Sequence, residues 1–271
     1  MLYFVATPLG NLSDITFRGI EILKKVDYIL CEDTRTSSVL LKHYEIHKPL
    51  KSYHKFNENT RLDNLIFDLK QGLDIALICD AGTPGICDPG SILIQACRKE
   101  NIPVSAAPGP CALILALTLS SFSSEKFQFV GFLPKGSSEL RRLLAEILHY
   151  KGTTICYESP HRLIETLKKI PKTRKVAVLR EMTKIYEECI EGTAEEVLSH
   201  FLQIPPRGEI VLLIAEGNQD YNHLSPKEHV EFLQKEYGIT LQDAIKIASS
   251  LRNTSKRELY NIVHDIFSTS C

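Results

Sequence analysis

The chain lacks an apolar run long enough to cross a bilayer: its longest, Cys111 to Leu119, falls far short of the about 20 residues a spanning helix needs. No basic region precedes the first strand, so no membrane association is expected, and the protein reads as soluble and cytoplasmic. The eight cysteines (Cys31, Cys79, Cys87, Cys97, Cys111, Cys156, Cys189 and Cys271) include no C-x-x-C pair, and several fall inside apolar strands. That pattern excludes a zinc ribbon and leaves reduced, small core residues. Among nine histidines only His43 and His47 stand at a ligand-like spacing, and they flank a predicted helix end, so no metal site is expected. An excess charge of one sign is also missing. With 32 Lys and Arg against 33 Asp and Glu the net charge is -1, which by itself speaks against a nucleic-acid partner.

The distribution of charge reverses that inference. Residues 1–132 carry 13 Lys and Arg against 14 acids, and residues 185–271 carry 7 against 14, whereas residues 133–184 carry 12 against 5. A basic middle holding Arg141, Arg142, Lys168, Lys169, Lys172, Arg174 and Lys175 can attract phosphates, or can be a set of solvated helix faces.

A hydrophobic content of 44% over 271 residues is enough for two cores. The first 118 residues alternate strand and helix: strands at Leu2–Ala6, Tyr28–Cys31, Leu50–Tyr53, Ile75–Cys79 and Pro103–Ala107, with helices between them. Such alternation predicts an α/β fold with a largely parallel sheet covered by helices. Ser120 to Ser124 reads as a linker, after which strands at Phe127–Phe132, Thr153–Tyr157, Val176–Arg180, Ile185–Ile190 and Glu209–Ala215 predict a second, mixed sheet with a hairpin around Met182-Thr183. Beyond Leu224 three helices are predicted, Pro226–Tyr237, Leu241–Leu251 and Lys256–Phe267, capped by Ser225, Thr240 and Ser255. The last two could form a helix-turn-helix, although a plain helical packing module is the simpler reading of an acidic tail. The expected domains are 1–119, 125–218 and 224–271.

Five loops at strand ends carry the chemistry. The richest is Asp80-Ala81-Gly82-Thr83-Pro84-Gly85-Ile86-Cys87-Asp88-Pro89-Gly90, between a buried strand and a helix that Asp88-Pro89 is expected to cap. Three glycines at the carboxyl end of a parallel strand bring backbone close to a ligand. Thr7 to Asp14 follows the first strand but lacks the second and third glycines of a dinucleotide fingerprint. Glu32-Asp33-Thr34-Arg35 clusters charge that is costly to desolvate unless it is paired or serves a ligand. Pro108 to Ala112 offers small residues at a helix start. Tyr157 to Arg162 and Arg180 to Lys184 add acids, arginines, a histidine and a lysine at strand ends of the second domain, as an ion network or as substrate contacts.

Taken in order, TPLGNLSDIT, EDTR, DAGTPGICDPG, PGPCA, GFLP, YESPHRL, REMTK and RGEIVLLI resemble the bacterial small-subunit rRNA ribose 2'-O-cytidine methyltransferases of the tetrapyrrole methylase superfamily. The resemblance covers residues 1 to about 217, and the helical tail also resembles that family's C-terminal module. It implies two α/β domains with S-adenosylmethionine in the cleft between them, usually in a homodimer, and a cytidine in the decoding region of 16S rRNA, in the assembled 30S subunit, as methyl acceptor. It places cofactor contacts at Leu9, Asp80, Thr83, Cys111, Ala112 and Tyr157. The alternative is a small-molecule methylase of the same superfamily acting on a corrin or porphyrin precursor, whose members have a more glycine-rich first loop than Thr7-Pro8-Leu9-Gly10. Transfer to a hydroxyl calls for a proton acceptor, with Glu32, Asp33 and Glu181 as candidates. Cations are needed to hold phosphate or a developing alkoxide, with Arg35, Arg162, Arg180 and Lys184 as candidates.

Overall fold

The structure, a computed structural model, describes residues 1–217, 221 and 223–264, which fall into two compact units. The first is Met1–Ala116 together with Arg180–Glu188; the second is Leu117–Leu179 and the chain from Cys189 onward.

In the first unit, strands β1 (Leu2–Val5), β2 (Tyr28–Cys31), β3 (Leu50–Ser52), β4 (Ile75–Leu77) and β5 (Val104–Ala107) form one sheet in the order β3-β2-β4-β1-β5. Every pairing in it is parallel, as the alternation predicts. Successive strand residues face opposite cores. Leu2, Phe4, Tyr28, Leu30, Ile75 and Leu77 pack with α3 (Glu58–Lys70) and α4 (Ser91–Lys99). Val5, Ile29, Cys31, Ala76 and Ile78 pack with α1 (Phe17–Lys25) and α2 (Thr34–His43). Burial on both faces is why these strands read as unbroken apolar runs.

One helix start differs from expectation. Asp88 and Pro89 do not cap α4; Gly90 does, at φ +137, without a side-chain hydrogen bond. A Cβ on residue 90 would fall 2.8 Å from Phe4 Cε1 and 2.9 Å from Leu77 Cδ2, so the chain must pass these core side chains before it can wind. Tertiary packing, not local capping chemistry, sets where α4 begins.

Helix α5 (Ala112–Leu119) leads into the second unit, whose sheet has the order β6 (Phe127–Phe132), β7 (Thr153–Glu158), β10 (Ile210–Ile214), β8 (Lys175–Arg180), β9 (Glu188–Thr193). It is mixed, as expected: β6 and β7 are parallel, β7 and β10 antiparallel. Its core is filled from α6 (Ser137–Leu148), α7 (Pro160–Leu167) and α8 (Ala194–Gln203) by Leu140, Leu144, Leu163, Leu167, Val197 and Phe201. The strand expected at Ile185–Ile190 lies at Glu188–Thr193 instead, because Glu181 (φ 50) and Thr183 (φ 68) turn the preceding residues out of extended conformation. Helix α8 was not expected, although its capping box, Thr193 with Glu196, is plain in the sequence.

The tail forms α9 (Pro226–Tyr237), α10 (Leu241–Leu251) and α11 (Lys256–Val263), with Ser225, Thr240 and Ser255 each accepting the expected cap hydrogen bond. Phe267, the expected end of α11, lies outside the described residues, as do Gly217's successor at 218 and Cys271. Val230, Leu233, Ala244, Ala248 and Leu259 close a core of their own around Ala145 of α6. No helix among the described residues is long and apolar enough to cross a membrane.

Candidate active site

Strands β2 and β4 are neighbours, yet the chain leaves β2 for β3 at one edge of the sheet and leaves β4 for β5 at the other. Divergence of that kind opens a crevice at the carboxyl ends of the strands, where open α/β sheets take their ligands. The backbone N–H of Asp33 donates to Asp80 Oδ1 at 3.3 Å across it. The loop after β1 is joined to the loop after β4 by a two-way bridge: Thr7 N to Gly82 O at 2.8 Å and Gly82 N to Thr7 O at 3.0 Å. The buried Thr7 hydroxyl donates to Cys79 O at 3.0 Å. Thr83 Oγ1 then donates to Pro110 O at 2.9 Å, tying in the loop after β5, and Leu9 lies against Gly82. The rim thus gathers Leu9, Asp80, Thr83 and the start of α5 at Cys111-Ala112, mostly through backbone.

The carboxylates of the rim are not equivalent. Asp33 caps α2, accepts from Arg35 N at 2.8 Å and pairs with Arg35 Nη2 at 2.7 Å. These bonds hold its carboxyl down to about 2, which makes it a poor proton acceptor at neutral pH. Asp80 is pushed up by loss of water and by the charge of Asp33. Asp88 is pushed up to about 6, first by burial and then by the negative charge of Glu32, against the pull of Lys55. A carboxyl poised there can take a proton at neutral pH with more driving force than an ordinary one. The sequence offers Asp88 as a helix cap, and only its place in the glycine loop signals more.

Arg180–Lys184, expected at a strand end of the second domain, and the following residues to Glu188 group with the first unit. Within them Lys184 Nζ pairs with Glu181 Oε1 at 3.0 Å, and Thr183 N donates to Glu187 Oε2 at 2.6 Å. Left-handed backbone at two non-glycine residues costs about 1–3 kcal/mol each and persists where surrounding structure enforces it. The stem of Lys184 crosses Gly10 so closely that a Cβ on residue 10 would fall 2.3 Å from its Cγ. Glycine at position 10 is therefore what lets Lys184 and Glu181 approach the loop after β1. Arg180 pairs through Nε with Glu188. Arg35 is exposed apart from its pairing with Asp33.

The turn after β3 adds an element not read from sequence. Asn57 Oδ1 accepts from His54 N at 2.8 Å, and Asn57 N donates to His54 O at 2.9 Å. This small, tied turn leaves the Phe56 ring 96% exposed beside Lys55.

In the second unit, Tyr157 on β7 stands edge-on to Phe129 and Phe132, at 4.9 and 5.3 Å between ring centroids. Glu158 is buried and ties the start of α7 to its last turn, accepting from Ser159 N at 2.8 Å and from Thr166 Oγ1 at 2.7 Å. Arg162 donates to Leu133 O at 2.9 Å and Pro134 O at 2.5 Å, and its Nη1 lies 3.5 Å from Glu158. Its guanidinium is committed to holding the Gly131-to-Pro134 turn.

A doubly wound parallel sheet with a backbone-lined rim, followed by a mixed α/β unit, defines a ligand-binding α/β enzyme. Residues 1–198 match the family Tetrapyrrole (Corrin/Porphyrin) Methylases, and the chain belongs to it. It is similar to Ribosomal RNA small subunit methyltransferase I of Halalkalibacterium halodurans, 43% identical over 274 residues that span 97% of this chain and 94% of that protein. The protein of the same name from Thermotoga maritima is 43% identical over 217 residues, which take up 97% of that protein but 79% of this chain. That relative is thus shorter than this chain by about the length of the C-terminal helices. Among solved structures, diphthine synthase shares the fold, with a TM-score of 0.63 at 12% identity over 79% of this chain and 89% of its own.

Proposed function

We propose that the protein is an S-adenosylmethionine-dependent methyltransferase that modifies the ribose 2'-hydroxyl of a cytidine in the decoding region of small-subunit (16S) rRNA. The observation that carries this reading is identity above 40%, over more than nine-tenths of both chains, to a methyltransferase named for small-subunit rRNA. The rim fits the donor: Leu9, Cys111 and Ala112 offer small or apolar contact to an adenosyl group, Asp80 a carboxylate for its ammonium or hydroxyls, and the 82–83 and 110–111 backbone its polar edges. Tyr157, in the second unit, is carried as a further candidate for donor contact on the family resemblance alone. When bound, S-adenosylmethionine supplies a methyl group on a positively charged sulfur.

The residues of the chain then have to orient the acceptor hydroxyl and take its proton. Asp88, supported by Glu32, is the acceptor we favour over Asp33, which Arg35 holds ionised and occupied. Glu181 is engaged by Lys184, and this pair serves to position that cation for a phosphate or for charge developing on oxygen. Arg35 and Arg180 are further candidates for phosphate contact, while Arg162 acts through the loop it holds. The exposed Phe56 ring offers a base a stacking face. The same reading carries an assembled 30S subunit as substrate, cytoplasmic location and a homodimer; exposed Ile185 and Tyr186 supply apolar surface for a second copy.

The test is transfer of labelled methyl to 30S subunits from cells lacking this protein, followed by mapping of the label. Label on a cytidine ribose is expected. Label on a base, or transfer only to a porphyrin precursor, would overturn the assignment.

A further inference from the structure

The proposed substrate is a large polyanion, yet two cations of the rim, Arg35 and Lys184, already face carboxylates. A second concavity, of about 740 Å³, lies wholly within the second unit, between the start of β6, the end of α6 and the α10–α11 turn. Four lysines line it, Lys126, Lys151, Lys246 and Lys256, against a single carboxylate, Glu146. Glu146 is taken by Lys246 at 2.9 Å. The other three lysines are exposed and make no ion pair among the described residues. Lys126 lies 5.4 Å from the centre of the Tyr150 ring, which leaves its charge unneutralised.

The wall of the groove is fixed. His149 is buried, with Nδ1 2.6 Å from Ala145 O and Nε2 2.7 Å from the Tyr221 hydroxyl, and burial lowers its proton affinity, so it adds no charge. Three acids of the tail are kept from the groove as well, and none of them lines it. Glu228, Asp243 and Glu258 are spent on the first turns of α9, α10 and α11, where each bonds a cap residue or its neighbour. Acids belong at helix N-termini, and their use there leaves Lys256 to act with Lys126 and Lys151 of the preceding fold, while Lys246 is held by Glu146. The tail supplies two of the four lysines, and the shorter methyltransferase relative lacks about that length of chain. Two of the four lysines, Lys246 and Lys256, lie beyond the residues matched by the methylase family, 1–198.

We propose that this lysine groove docks the sugar–phosphate backbone of the rRNA substrate, adding affinity without taking part in methyl transfer. The proposal rests on the rRNA reading above. Converging like charges raise the local potential and gain most from a ligand that neutralises several at once, as successive backbone phosphates do.

The experiment compares the wild-type chain with the triple variants Lys126→Glu/Lys151→Glu/Lys256→Glu and Lys126→Arg/Lys151→Arg/Lys256→Arg. Binding to 30S subunits is measured over a range of salt, alongside methyl transfer at saturating subunit. For the Glu variant, Kd should rise about tenfold or more, and the slope of log K against log salt should flatten by about three. Its maximal rate and its melting shift with S-adenosylmethionine should match wild type, which also shows that it folds. The Arg variant should bind as wild type does. Unchanged Kd and salt slope in the Glu variant, or equal loss in the Arg variant, would overturn the proposal. So would an AMP-induced melting shift that the Glu variant loses while its subunit binding stays intact, since the groove would then hold a free nucleotide. Failure of the wild-type chain to methylate subunits at all would instead break the rRNA reading.

Discussion

The rim of the first unit and the lysine groove of the second hold their polar groups by opposite means. At the rim, position is fixed by backbone: the two-way bridge from Thr7 to Gly82, the hydroxyl of Thr83 on Pro110 O, the left-handed turn at Glu181 and Thr183. In the groove, the charge sits on the ends of long, exposed side chains. Chemistry that must align three atoms needs the first arrangement, because misplacement of an ångström is costly in rate. Attraction of a flexible polyanion tolerates the second. Substitutions should therefore be severe at the rim and graded in the groove.

The largest effect is expected where the rim is most tightly built. In Gly90→Val the new side chain meets Phe4 and Leu77 and the backbone must hold φ +137, a conformation that branched residues avoid. Two mechanisms of destabilisation act together, so a loss of about 3 kcal/mol or more is expected, read as a fall in the denaturant midpoint. If the variant keeps both its midpoint and its rate, the glycine loop is not the rigid frame described above.

Next comes Asp88→Asn, which keeps the shape of the side chain and removes its capacity to take a proton. A fall of about 10²–10⁴-fold in kcat is expected, with little change in KM for S-adenosylmethionine. The wild-type rate should rise with pH through about 6, the point to which burial and Glu32 push this carboxyl, since Asp88 must lose its proton before it can accept one. The variant should lack that limb. Asp33→Asn should keep it, because Asp33 is ionised throughout this range. A retained limb in Asp88→Asn would move the role to Glu32 or Glu181.

Which parts of this were legible in sequence follows from how local each determinant is. The strands of the first sheet were legible because burial on both faces leaves apolar runs, and the tail helices because Ser225, Thr240, Gly238 and Ser255 mark their ends. The box that starts α8, Thr193 with Glu196, is an equally local signal. What could not be read is tertiary. Asp88-Pro89 has the form of a helix start, and only Phe4 and Leu77 explain why the helix waits for Ser91. Nothing in Arg180-Glu181-Met182-Thr183-Lys184 signals left-handed backbone, since it holds no glycine, and its grouping with the first unit depends on a contact 174 positions away at Gly10. The loops were found as places, whereas the roles of their acids depended on neighbours: Arg35 for Asp33, Glu32 and burial for Asp88.

The smallest effect, and the one that separates the two regions most cleanly, is pH-dependent stability of the tail. His229 is buried, stacked on Tyr221 at 4.3 Å between ring centroids, and its Nδ1 accepts from Arg252 Nε at 3.0 Å. Accepting that bond requires the neutral ring, and burial followed by the charge of Arg252 lowers its pKa to about 4. The unfolded chain, with histidine near about 6.5, binds the proton first as pH falls. Stability from this residue is thus fully present above about 6.5 and is lost progressively between there and about 4. Going from pH 7 to 5.5 should cost about 1 kcal/mol, visible as a lower midpoint for hydrogen exchange in α9 and α10, and His229→Gln should flatten the dependence. The rim follows the opposite sign, because Asp88, with its raised pKa, holds its proton more tightly folded than unfolded and so favours the folded state as pH falls. Acid should therefore loosen the tail helices while the strands of the first sheet keep their protection. Equal loss of protection in both regions would show that the tail and the methylase fold unfold as one, and that the groove cannot be altered without altering the rim.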